Sequence, residues 1–245
     1  MTILILGGTA EARELAARLV DAGSPVVSSL AGRVAKPRLP VGDARIGGFG
    51  GVDGMRTYFS TQRITAVVDA THPFAEGITA NAVAACSASG VPLLRLERPG
   101  WGGGYLTDTW DWVANHDEAA ALAVSLGSRP FLTTGRQALD HFIGPLGSLE
   151  ALVRVVDVPD IELPAPWTLL TSRGPYVLEG ERNLMRAHNT DVLITKDSGG
   201  SFTWPKMEAA AELGVQVIVV KRKPGDPDVH TVSEVGEALA WSLTR

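Results

Sequence analysis

The chain has 245 residues, 45% hydrophobic and 20% charged with 27 glycines, a composition that is globular and too apolar for a disordered segment. Its formal net charge of −5 argues against a general nucleic-acid binder, which needs a basic footprint, while leaving room for a locally basic cleft. Cys86 is the only cysteine, so no intrachain disulfide forms and a reducing, cytoplasmic setting is expected. The first strand starts at Ile3, which leaves no room ahead of it for a signal peptide, and no apolar run approaches the roughly 20 residues that span a bilayer.

Ile3-Leu4-Ile5-Leu6 reads as a buried strand that runs through Gly7-Gly8-Thr9 into a helix, with Ala12, Leu15, Ala16 and Leu19 at helical spacing and Gly23 as its stop. Pro25–Leu30 is a second strand and Ala44–Ile46 a short third. The glycines of Gly47-Gly48-Phe49-Gly50-Gly51 form a turn before a helix from Val52 to Gln62. Ile64–Ala70 is a fourth strand whose near-continuous apolar run suits a parallel sheet covered on both faces. Pro73 is placed to open a helix that runs to Ser89 and stops at Gly90, and Val91–Leu96 is a fifth strand.

The rhythm breaks at Gly100-Trp101-Gly102-Gly103-Gly104, near Trp110 and Trp112, which suggests a hinge or crossover. It then resumes with helix Asp117–Leu126, strand Pro130–Thr134, and strands Leu152–Val156 and Thr168–Thr171 on either side of a Pro-rich loop, Val158–Trp167. Helix Tyr176–Ala187, strand Val192–Lys196, helix Pro205–Leu213, strand Val215–Val220 and helix Ser233–Leu243 complete the chain. The fold class expected is α/β: two Rossmann-like domains, residues 1–113 and 114–245, with mostly parallel sheets and a cleft between them.

Ligands of open α/β sheets bind at the carboxyl ends of strands, so those turns hold the candidate site residues. Gly7, Gly8 and Thr9 lack the third glycine of the dinucleotide fingerprint, yet they suit a pyrophosphate seated on a helix N-terminus, with Thr9 adding a hydroxyl. The end of the second strand, Ser28-Ser29-Leu30-Ala31-Gly32-Arg33, has hydroxyls and a guanidinium but no carboxylate. That favours the 2′-phosphate of NADP over the free ribose of NAD and nominates Ser29 and Arg33. Thr71 and His72 stand where the nicotinamide side of such a site would lie, and His72 has a pKa suited to proton transfer at neutral pH. In the second half, Lys196-Asp197-Ser198-Gly199-Gly200 with Lys206 forms another strand-to-glycine turn for phosphate or carboxylate. Arg95, Arg98, Arg136 and Arg173 also fall at or just beyond strand ends. There is no P-loop, no nucleophile elbow, no zinc-ligand spacing and no tyrosine followed four residues later by lysine, which leaves cofactor-borne hydride transfer as the favoured chemistry.

Several segments together resemble the precorrin-6A reductase family of cobalamin biosynthesis. They are Ile5-Leu6-Gly7-Gly8-Thr9-Ala10-Glu11-Ala12, Asp69-Ala70-Thr71-His72-Pro73-Phe74-Ala75, Asn81-Ala82, Leu94-Arg95-Leu96-Glu97-Arg98-Pro99-Gly100-Trp101, and Thr195 to Gly200 with Lys206. The resemblance implies NADPH-dependent reduction of one ring double bond of precorrin-6A to give precorrin-6B, and two Rossmann-like domains that exchange a strand. It assigns Arg95, Arg98, Arg136, Lys196, Ser198, Gly199, Gly200 and Lys206 to the carboxylates of the macrocycle. The Trp101 loop would cover the macrocycle, and His72 and Asp197 are the candidates for the proton donor. No metal site of the protein's own is implied, and oligomeric state is left open. Three other readings stand beside this one: a cobalt-precorrin-6A reductase of the anaerobic route, a reductase similar to dihydrodipicolinate reductase in its Asp-Ala-Thr-His-Pro turn, and a non-enzymatic nucleotide-sensing module.

Overall fold

The structure, a computed structural model, describes residues 2–32, 34 and 36–245. In chain order its strands and helices are β1 (Thr2–Leu6), α1 (Ala10–Asp21), β2 (Val26–Leu30), β3 (Asp43–Ile46), α2 (Gly51–Thr61), β4 (Ile64–Asp69), α3 (Glu76–Ser89), β5 (Leu93–Leu96), β6 (Asp111–Val113), α4 (His116–Leu126), β7 (Pro130–Leu132), α5 (Asp140–Leu146), β8 (Leu152–Val155), β9 (Thr168–Thr171), α6 (Leu178–His188), β10 (Val192–Lys196), α7 (Pro205–Leu213), β11 (Gln216–Val220), β12 (Thr231–Val232) and α8 (Val235–Ser242).

They build two six-stranded sheets in which every paired strand runs parallel, the α/β fold expected. The first sheet has the order β3-β2-β1-β4-β5-β12 and the second β9-β8-β7-β10-β11-β6. Each therefore follows the doubly wound 3-2-1-4-5-6 path, with its switch point between the first and fourth strands. The sixth places are crossed over. β6 follows β5 in the chain but pairs with β11, while β12 follows β11 but pairs with β5. Strand exchange, implied by the resemblance, is thus present in the topology.

The compact units differ from the division at 113/114 read from the sequence: one comprises the residues up to Pro99 together with Pro224–Arg245, the other Gly100–Lys223. The cause is the exchange. Once β12 joins β5, α8 is carried onto α1, and Val235 and Ala238 enter the same core as Leu15, Leu19 and Leu94.

Alternation along β1 feeds two cores. Ile3 and Ile5 pack with Leu15, Leu19, Val68 and Leu96 on one face, while Leu4 and Leu6 pack with Met55, Phe59, Val67, Ala82 and Ala85 on the other. In the second unit Phe131, Leu193, Val217 and Val219 pack against Met185, Met207, Trp101 and Trp110. No described helix is long and apolar enough to cross a membrane.

Candidate active site

At the switch point of the first unit, β1 is followed by Gly7, whose N–H donates to the Ser29 carbonyl at 2.9 Å. Gly8 has φ +118°, and a Cβ there would meet no atom within 4 Å, so the backbone lies bare toward open space. The N–H groups of Ala10 and Glu11 open α1 with no intrahelical carbonyl to receive them, a feature that favours negative charge at helix starts in general. The glycine turn thus leaves those N–H groups at the carboxyl end of β1. Thr9 is different: its hydroxyl accepts the Ala12 N–H at 3.1 Å and donates to the Ala70 carbonyl at 2.7 Å. It caps α1 and ties the two switch-point turns together, rather than offering a hydroxyl to a ligand.

The second turn rests on a buried charge. Asp69, 1% exposed, accepts from the Thr71 N–H (3.1 Å), the Thr71 hydroxyl (2.7 Å), the Thr79 hydroxyl (2.6 Å) and Arg95 Nη1 (2.8 Å). Arg95 also donates to Thr71 Oγ1 at 3.0 Å, and its Nε and Nη2 reach Glu97 at 3.0 and 2.7 Å. Thr71 and Arg95, nominated as cofactor and substrate contacts, are both engaged inside the fold. A guanidinium 7% exposed and bonded on both edges is not free to receive a substrate carboxylate.

This lattice leaves His72 at the rim, partly exposed. Its Nδ1 accepts the Phe74 N–H at 3.2 Å and its carbonyl accepts the Ala75 N–H at 2.8 Å. Those bonds make a turn of Pro73–Ala75, so α3 begins at Glu76 rather than at Pro73. With Nδ1 accepting, the neutral ring carries its proton on Nε2. Arg98 lies at the same end of the sheet, paired with Glu11 of α1 at 2.8 Å. Cys86 is inert at neutral pH, because burial and the charge of Asp69 push its thiol up to about 12.

At the end of β2, Ser29 is buried, and its hydroxyl accepts from Arg45 Nη1 at 2.7 Å. Arg33, nominated for this position, lies outside the described residues. Arg45 was not singled out from the sequence. The Ala44–Ile46 strand was legible, but the register that sets Arg45 directly beside Ser29 was not.

In the second unit the corresponding turns follow β7 and β10. Gly135, at φ +82°, sends the chain into Arg136, partly exposed, with Nη1 3.4 Å from the Val158 carbonyl. After β10, Lys196 is half-buried and its ammonium is pushed down to about 8 by desolvation. Asp197 Oδ1 accepts the Trp101 N–H at 2.8 Å, and Arg222 Nε donates to the Asp197 carbonyl at 2.7 Å with Oδ2 at 3.4 Å. Both carboxylate oxygens thus have cationic or N–H partners. Gly100 abuts them so closely that a Cβ would fall 2.5 Å from Oδ2. Asp197 is thereby an anchor for the Trp101 segment, not a proton donor placed at a ligand. Trp101 itself is buried, edge-on to Trp110 and Trp204, so its ring belongs to the core and not to a free covering loop.

Ser198 meets the Thr203 hydroxyl at 3.1 Å, and Gly199 and Gly200 both take positive φ to complete the turn. Lys206 is 3% exposed. Its Nζ donates to the Thr203 carbonyl at 3.0 Å and lies 4.9 Å from the centre of a Trp101 ring. Desolvation and then the charge of Arg154 push this ammonium down to about 7. It supports the glycine turn from beneath and does not stand at the surface as a ligand.

Known proteins share this sequence and fold. A precorrin-6A reductase of Rhodococcus erythropolis is 50% identical, the alignment covering 99% of this chain and 98% of the relative. A cobalt-precorrin-6A reductase of Priestia megaterium is 31% identical, with 90% of each chain covered. The solved structure described as CobK precorrin-6A reductase superposes with a TM-score of 0.90 at 36% identity, covering 100% of this chain and 96% of that one. With the family model described as precorrin-6x reductase CbiJ/CobK matching residues 2–242, two exchanged Rossmann-like sheets and a glycine turn at the switch point, the chain belongs to that family of reductases.

Proposed function

We propose that this chain reduces precorrin-6A to precorrin-6B with NADPH. The match to the reductase family over residues 2–242 carries the reading, and membership implies a nicotinamide cofactor. Preference for NADPH is supported by the second-strand end, which pairs serine with a guanidinium and has no carboxylate for a free ribose hydroxyl.

When bound, the cofactor supplies the hydride that the macrocycle accepts. Gly7, Gly8 and the first N–H groups of α1 hold its pyrophosphate. The Asp69, Thr71, Thr79 and Arg95 lattice fixes the turn on which His72 stands, so that the imidazole keeps one orientation. As imidazolium, with the Phe74 N–H contact released, the ring passes a proton to the neighbouring carbon and returns to its neutral form. Arg98, Arg136 and Lys196, with the turn Ser198-Gly199-Gly200, are the contacts proposed for the substrate's carboxylates. Arg95 and Lys206 act beneath those contacts.

The metal-free substrate is favoured because the relative named for it is 50% identical and the one named for the cobalt form is 31% identical. Mixing the protein with NADPH and precorrin-6A tests the proposal. Equimolar loss of nicotinamide absorbance and change in the tetrapyrrole spectrum is the expected result. Turnover with cobalt-precorrin-6A alone would move the chain to the anaerobic route, and NADPH binding without turnover of either would leave a sensing role.

A further inference from the structure

A guanidinium that the sequence reading does not single out, that of Arg45, stands on β3. In a doubly wound sheet the adenosine ribose lies beyond the carboxyl end of the second strand. That end is Ser28–Leu30 of β2, and the parallel register sets Arg45 opposite Ser29 and Ile46 opposite Leu30. The Arg45 side chain turns to this edge: Nη1 donates to Ser29 Oγ at 2.7 Å and to the Gly47 carbonyl at 3.0 Å, and Nη2 donates to the Gly48 carbonyl at 2.9 Å.

The guanidinium is held flat by stacking. Its central carbon lies 3.9 Å from the centre of the Phe49 ring and 5.1 Å from that of Tyr58, and those two rings meet edge-on at 5.2 Å. Phe49 is fixed in turn, because its carbonyl passes so close to Gly54 that a Cβ there would fall 1.8 Å from the oxygen. Three N–H groups of Arg45 thus fasten the residue in place, and Nε–H and one Nη2–H have no partner among the described residues. A stacked, preorganised guanidinium with donors to spare, next to a serine hydroxyl and with no carboxylate bonded to it, is suited to a phosphate monoester dianion.

We infer that Arg45, with Ser29, binds the 2′-phosphate of NADPH and sets the cofactor preference of the chain. The inference rests on the reading that NADPH is the cofactor, and binding measurements separate the two. The full-length protein is titrated calorimetrically with NADP+, NAD+, 2′,5′-ADP and 5′-AMP, with no substrate present. The wild type is expected to bind NADP+ over NAD+, and 2′,5′-ADP over 5′-AMP.

Arg45→Met should weaken both 2′-phosphorylated ligands about ten- to a hundredfold while leaving NAD+ and 5′-AMP within about threefold. Arg45→Lys should recover part of the loss, since it restores the charge but not the fork. The unchanged NAD+ affinity also reports that the site is folded. If the wild type prefers NADP+ and Arg45→Met keeps that preference, the inference is overturned and the reader of the phosphate lies elsewhere, with Arg33 first in line. Equal weakening of all four ligands by Arg45→Met overturns it too, because Arg45 would then only shape the glycine turn. A wild type that does not discriminate overturns both the inference and the NADPH reading.

Discussion

Asp69 receives four hydrogen-bond donors in a site with almost no solvent, and it shares the charge of Arg95 with Glu97. Removing one partner of a buried ion pair leaves the other charge uncompensated, which costs far more than the pair contributes to stability. Asp69→Asn is therefore expected to lower unfolding stability by about 3 kcal/mol, measured by urea titration. His72 separates two roles by substitution. Asn can accept the Phe74 N–H as an Asx turn does, so His72→Asn keeps the backbone and removes the titratable ring. If the imidazolium of His72 donates the proton, kcat falls about a hundredfold in His72→Asn as it does in His72→Ala. A near-normal kcat in His72→Asn with loss in His72→Ala would leave the imidazole only a turn former.

Lys206 gives a pH signature of its own. Its ordinary pKa of 10.5 is lowered in the folded chain to about 7, so across that window the unfolded chain binds the proton more tightly. The cost of burying the ammonium is felt below about pH 7 and relieved as pH rises, so this group makes stability increase with pH between about 7 and 10.5. Relative to Lys206→Met, the wild type should gain about 2 kcal/mol from pH 7 to pH 9 in urea unfolding. A difference that stays flat with pH would show the lysine to be an ordinary ammonium. Residue type and position were readable here, but burial was not. Thr9, Thr71, Arg95 and Asp197 stand at strand ends in the sequence and Lys206 a little beyond one, and only the packed structure shows that their polar atoms already have partners.

At the scale of elements, the long strands and helices were legible because their periodicities are strong and their stops are glycines: Gly90 ends α3 in a left-handed conformation and Gly214 ends α7 likewise. The misses are short. β6 is three residues within a tryptophan-rich stretch, β12 is two residues, and α5 is seven with a proline inside. Such segments have too few residues to display a period, and they form because a sheet edge is there to receive them. β12 matters beyond its length, since the Arg95 N–H donates to the His230 carbonyl and the Glu97 N–H to the Val232 carbonyl. The strand whose side chains secure the second switch-point turn thus depends on the last residues of the chain. Val235→Asp on α8, which puts a charge into the core shared with Leu15 and Leu94, should lower the thermal midpoint by about 10 °C or more, with cofactor affinity lost in parallel.

For the whole molecule, the exchange makes the two units unequal. Residues 100–223 contain all six strands of the second sheet in one continuous stretch, while the first sheet needs both ends of the chain. A fragment of residues 100–223 should therefore melt cooperatively by circular dichroism, and residues 1–99 alone should not. Adding a peptide of residues 224–245 should restore a transition to the latter. Cooperative melting of 1–99 by itself would show that β12 and α8 are dispensable.

The crossed sixth strands have a consequence for synthesis. A chain emerging from the ribosome presents β1 to β5 first, yet the edge of that sheet stays open until β12 has been made. The half made second is the first able to close. Maturation of the glycine-turn half is thereby deferred until β12 has been made, so a nascent chain truncated anywhere before β12 should leave that half unfinished.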